Sequence, residues 1–124
     1  MSRVFVVHQP TGRDRLTGAI KPTMDLSPAR EFGELRFILR EWENPFSDIA
    51  ATVAEVQRVL RGEGFDERDF LLLVGNPVLI GIVAAEAAYL TYGSLRMLQW
   101  NRSEHCYQAV SAQLGDVDAG AAAA

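Results

Sequence analysis

Residues 70–78 read Phe-Leu-Leu-Leu-Val-Gly-Asn-Pro-Val. Phe70 to Val74 have no polar face, which a β-strand tolerates only where both sides of its sheet are covered. The run is therefore expected to be an interior, parallel strand. Gly75-Asn76-Pro77 ends it. Asparagine caps a helix well, and proline suits the first helical position, where its missing N–H would have no acceptor anyway. The helix that follows, Pro77 to Tyr92, is apolar nearly all round and is expected to be mostly buried, with Gly93 as its stop. Leu95 to Trp100 then reads as the next strand. Two strands joined by a helix make a parallel crossover, right-handed by the general rule.

Working outward, Arg3 to His8 is a β-branched and aromatic run that reads as a buried first strand. Gln9 to Gly33 is polar and long for a connection, so it is either a functional loop or contains a short helix. The stretch Asp25-Leu-Ser-Pro-Ala-Arg-Glu-Phe supports the helix, with Ser27 as cap and Pro28 in the first helical position. Glu34 to Glu41 alternates Leu35, Phe37 and Leu39 against Arg36, Ile38 and Arg40, the pattern of a half-buried strand at an edge. Asn44-Pro45 breaks it. Ser47 is the expected cap of a helix carrying Ile49, Val53, Val56 and Leu60 on one face and ending at Gly62 or Gly64. Asp66 to Asp69 reads as an exposed acidic turn. After a polar turn at Asn101 to His105, Cys106 to Leu114 returns as an antiparallel partner. Residues 115–124 have little to pack and are expected to form a disordered tail. Residues 1–114 thus read as one α/β domain: a small Rossmann-like sheet of about five strands in two or three layers, parallel at its core, with a C-terminal antiparallel hairpin.

The chain has 124 residues and a net charge of −4, which disfavours a general nucleic-acid binder. The charge is uneven: residues 1–40 carry net +3, residues 41–70 net −5 and residues 71–124 net −2. This is either a chance spread of solvated charge or a two-signed surface suited to self-association or a charged protein partner. The single cysteine, Cys106, fits a reducing compartment, and the N-terminal apolar run is too short for a signal peptide; the expectation is the host cytoplasm. Phe70 to Gly93 holds one charge, Glu86, but Gly75-Asn76-Pro77 cuts the run too short for a membrane span. Glu86 itself sits either on an exposed helix edge or opposite an arginine.

In open parallel sheets, ligands bind beyond the carboxyl ends of the strands. Here those ends carry His8, Gly75 and Asn76, then Trp100, Asn101 and Arg102, the candidate ligand-binding set. The helix start after Asn76 offers unpaired N–H groups to an anion. Arg102 could clamp a phosphate or carboxylate, and Trp100 could stack on a base. Each also has a plainer reading: Gly75-Asn76-Pro77 as a simple turn, Trp100 as core, Arg102 as solvated charge, His8 as an incidental strand end. No catalytic set, metal spacing or cofactor motif is present. His105 and Cys106 are read as strand neighbours pointing to opposite faces, poor geometry for a nucleophile and its base.

Val4-Phe-Val-Val, Asp25-Leu-Ser-Pro-Ala, Phe32-Gly-Glu-Leu, Asp69-Phe-Leu-Leu-Leu-Val-Gly-Asn-Pro-Val and Leu98-Gln-Trp-Asn-Arg together resemble a family of small α/β proteins from tailed phages and prophages, over roughly residues 3–114. In that family the two turns read Gly-Asp-Pro and Trp-Asp-Arg; Asn76 and Asn101 keep the capping role and remove two negative charges. The resemblance implies a phage or prophage setting and brings no activity with it. The expectation is a non-catalytic binding protein, forming a homo-oligomer and engaging a host, defence or phage protein. The alternatives are a nucleotide- or phosphate-binding module, sequestering or enzymatic, and a minor virion component.

Overall fold

The computed structural model describes residues 2–9, 11–39 and 46–115. Its elements are β1 (Arg3–Val6), β2 (Thr11–Arg13), β3 (Ile20–Pro22), a 3₁₀ turn (Ser27–Phe32), β4 (Glu34–Phe37), α1 (Ile49–Gly62), β5 (Phe70–Leu72), α2 (Pro77–Leu90), β6 (Ser94–Asn101) and β7 (Cys106–Gln113). Five strands form one sheet in the order β4-β1-β5-β6-β7, and β2 and β3 pair separately. β5 is the central strand. It runs parallel to β1, with Phe5 opposite Leu71, and parallel to β6, with Leu72 opposite Leu98. β4 is parallel to β1 and β7 antiparallel to β6. Main-sheet strands counted in chain order run 2-1-3-4-5, a doubly wound arrangement.

The two faces of β5 feed two cores. Leu71 joins Phe5, Val7, Val56, Leu60, Leu79, Val83 and Leu95 beneath α1 and α2. Phe70, Leu72 and Val74 join Val4, Val6, Leu26, Ala29, Leu98 and Tyr107 beneath the 3₁₀ turn. The division follows from handedness. The crossover from β1 to β4 and those from β4 to β5 to β6 travel in opposite directions across the sheet, so right-handed connections must lie on opposite faces.

Local chemistry departs from expectation at several points. Ser27 does not cap: it is the first residue of the 3₁₀ turn, and Asp25 Oδ1 accepts the Ser27 N–H at 2.9 Å. Ser47 does not cap α1 either; Asp48 accepts from the Ala51 N–H at 3.1 Å. In each case a carboxylate makes the stronger acceptor for a backbone N–H. On α1, Thr52, Val56 and Leu60 are buried while Ile49 is exposed. The helix ends as expected near Gly64, whose left-handed φ of 68° lets the Phe65 N–H reach Leu60 O and its own N–H reach Arg61 O, the Schellman pattern. The edge strand stops at Phe37; the chain then bends, and Ile38 and Leu39 both enter the helix-side core instead of alternating. His105 lies in the turn, with φ of 52°, and not on a strand. The expected break at Asn44-Pro45, the residues 40–41 of the expected edge strand, and the tail from residue 116 lie outside the described residues.

Asp69 is the largest departure. Read as part of an exposed turn, it is 2% exposed. One oxygen accepts from the Arg3 backbone N–H (3.1 Å) and Nε (3.2 Å), the other from Arg3 Nη2 (3.0 Å) and the Asp66 N–H (3.0 Å). The same guanidinium donates to the Glu63 and Gly64 carbonyls at the end of α1. One ion pair thereby ties the start of β1, the end of α1 and the start of β5 together. Glu86 also finds a partner: Arg61 of α1 meets it at 2.9 Å. No helix among the described residues is long and apolar enough to cross a membrane.

Candidate functional site

The crevice of a doubly wound sheet opens where neighbouring strands send their connections in opposite directions. Here that point lies between β1 and β5. The chain leaves β1 through His8 and β5 through Gly75, and the two exits touch. Gly75 has φ of 107°, and a Cβ on it would come within 2.8 Å of the His8 carbonyl oxygen and 2.9 Å of its Cβ. Only glycine fits. Burial holds the His8 imidazole below its usual pKa, so the ring is neutral near pH 7.

Asn76 caps α2, its Oδ1 accepting the Val78 N–H at 2.8 Å. Asn101 builds the β6–β7 turn: Oδ1 accepts from the Ser103 and Glu104 N–H groups and Nδ2 donates to Gln108. Both side-chain carbonyl oxygens therefore serve the backbone. Arg102 is exposed in that turn. Trp100 is 38% exposed and meets Tyr107 edge to face at 5.0 Å, on the side of the sheet covered by the 3₁₀ turn. α2 covers the other side. The structure thus joins His8 to Gly75, sets Asn76 directly after them, and places Trp100 across the sheet from the helix start.

Two features were not legible as site residues in the sequence. Tyr107 is 3% exposed and its hydroxyl has no hydrogen-bond partner among the described residues. Burial, and then the nearby charge of Asp25, raise its pKa above the ordinary phenol value. Nearby, a cleft of about 460 Å³ opens between the 3₁₀ turn and β4, lined by Gln9, Asp25, Arg30, Leu35 and Phe37 among others. It offers one carboxylate, one guanidinium and apolar walls. Among the described residues no three His, Cys, Asp or Glu side chains are grouped to hold a metal ion.

The second feature is the β2–β3 hairpin, which lies in the long Gln9–Gly33 connection ahead of the short 3₁₀ helix expected there. Its strands pair with each other, Gly12 opposite Lys21, and not with the main sheet. Every residue from Arg15 to Lys21 is exposed, and Leu16, at the tip, is 95% exposed. The tip is nonetheless built. Asp14 Oδ1 accepts the Leu16 N–H at 2.7 Å and the Thr17 N–H at 3.2 Å, Oδ2 takes Lys21 Nζ at 3.2 Å, and the Gly18 N–H donates to the Asp14 carbonyl. These donors hold the Asp14 carboxyl below the usual carboxylate range. Arg13 and Arg15, both exposed, precede the leucine. The signal in the sequence was Asp14-x-x-Thr-Gly18, an Asx-type turn between two short extended runs.

A family model described as Phage Pam3 gp32-like protein matches residues 2–114. The chain belongs to that family. No curated protein and no solved structure matches it. The match spans the crevice, Tyr107 with its cleft, and the β2–β3 hairpin, the Thr11–Pro22 arm.

Proposed function

We propose that this phage-family chain is a non-catalytic binding protein that engages another protein, of the host, its defences or the phage, through the Thr11–Pro22 arm. One observation carries the reading: Leu16 stands 95% in water at the tip of a turn whose hydrogen bonds fix it there. A leucine left out of the core gains nothing for folding, and a rigid tip loses little conformational entropy on docking, which is what an anchor residue requires. Arg13 and Arg15 beside it suit a partner pocket with an acidic rim. Copurification of the tagged chain from infected cells tests this. Wild type should retain a protein that Leu16→Asp loses, while both variants fold alike; retention of the same proteins by both sinks the reading. Mass spectrometry of purified particles then tells a virion partner from a cellular one.

The second reading is a nucleotide- or phosphate-ligand module at the carboxyl ends, supported by the half-open Trp100 ring and by the Tyr107 hydroxyl, which has no partner among the described residues. A thermal-shift screen with nucleotides decides it, since a ligand at saturating excess stabilises the fold by about 3 kcal/mol; no shift with any nucleotide ends it.

A further inference from the structure

α2 was expected to be mostly buried, and one side of it is not. Val78, Gly81, Ala85 and Tyr89 are exposed at helical spacing, and Tyr92 continues the stripe just past the last turn. Val78 is 55%, Tyr89 69% and Tyr92 82% exposed. The stripe carries no charge; the one acid of the helix, Glu86, is turned to Arg61 on α1. Beside it runs a groove of about 430 Å³ lined by Ala85, Ala88, Tyr89, Tyr92 and Leu114. Glu67 and Arg68 fringe the Tyr92 end, giving an apolar centre and a polar rim.

We propose that this face docks a second copy of the chain, two α2 helices packing antiparallel about a two-fold axis. Three arguments select that occupant. The stripe is complementary to itself: an antiparallel two-fold near residue 83 sets Gly81 of one copy against Ala85 of the other, where small side chains allow close approach. The same axis sets Val78 against Ala88 and the groove beside Tyr89, as an isologous contact requires. The face is neutral, so two chains of net charge −4 meet without opposing charges at the centre. The area is also sufficient. At about 200 Å² for a fully open tyrosine, the two tyrosines offer about 300 Å² per copy. With Val78, Ala85 and Leu114 fully covered as well, a pair would bury at most about 1,000 Å², which reaches the lower bound for a specific interface. Tyr92 adds an independent hint: it holds a left-handed φ of 54°, a conformation that glycine takes more easily, while standing in solvent.

The test is sedimentation equilibrium on the full chain with Gly81→Glu and Ala85→Glu variants. No heavy atom lies within 4 Å of where a Cβ on Gly81 would sit, so a side chain there leaves the monomer fold intact, which circular dichroism checks. Wild type should be a dimer in the micromolar range, and either variant should weaken association by about 30-fold or more. A wild type that stays monomeric into the millimolar range, or variants that dimerise as wild type does, overturns the proposal. So does a monomeric wild type that dimerises only after residues 116–124 are removed, which would assign the face to the chain's own end.

Discussion

Replacing Asp69 with alanine takes one residue out of a junction that three elements share. Its carboxylate accepts four N–H groups, two from the Arg3 side chain and two from the backbone of Arg3 and Asp66. Breaking a buried ion pair on one side costs about 3–5 kcal/mol. Arg3 keeps 23% of its side chain in water and retains the Glu63 and Gly64 carbonyls, which moves the expected loss to the lower end, about 3 kcal/mol. Domains of this kind have about 5–15 kcal/mol in all, so the variant folds but is visibly weakened. Equilibrium urea unfolding reads the effect: with m of about 1.5 kcal/mol/M the midpoint should fall by about 2 M at unchanged m. Asp69→Asn, which keeps one acceptor oxygen, should fall between. A loss below about 1 kcal/mol, the worth of an ordinary surface pair, would refute the reasoning that Asp69 is a buried tie.

Tyr107→Phe removes a buried hydroxyl that has no partner among the described residues and should leave stability unchanged or raise it by about 1 kcal/mol in a thermal melt; a clear loss would show that the hydroxyl is bonded in solution. Tyr92→Gly should stabilise the monomer by about 1 kcal/mol, because a left-handed residue ends α2 there. Gly93→Ala should be strongly destabilising, since a Cβ would collide with the Leu114 carbonyl; loss of cooperative unfolding is the readout. The pH dependence follows from His8, whose folded pKa is held below 6.5 by burial. Above 6.5 neither state is protonated and stability is full; as pH falls from 6.5 toward the lowered folded value, the unfolded chain takes up a proton that the folded chain refuses, and stability declines. Urea unfolding between pH 7 and 5 should show that slope in wild type and lose it in His8→Asn, whereas Asp14, Asp25, Glu55 and Asp66, all held low, act only in the acid range below.

The fold was legible where a signal is local. Five apolar residues followed by Gly75-Asn76-Pro77 are enough to name an interior strand and a capped helix, and the crossover rules then orient β1, β5 and β6. What escaped depends on contacts distant in sequence. Nothing near Asp69 announces that Arg3 will reach it, so a buried ion pair reads as surface charge. α2 is apolar on every side, so composition alone could not tell which stripe the fold would leave open. At the site, the sequence found the strand ends and the glycine that lets His8 and Gly75 meet. It could not tell that Trp100 would face away from α2, because that depends on the parity of β6 relative to the helix. The arm was hidden in a long polar connection whose turn chemistry was readable at Asp14 and Gly18 but whose isolation from the main sheet was not.

A dimer built on α2 would carry two arms, and avidity for a repeated or paired partner would follow. The claim on which the functional account turns is that Leu16 is an anchor, and site-specific photo-crosslinking in infected cells addresses it at the residue itself. A photoreactive side chain at position 16 should yield a discrete protein adduct, and the same group at Arg58, on the open face of α1, should yield none. Absence of an adduct at 16, or the same adducts from both positions, would contradict the account.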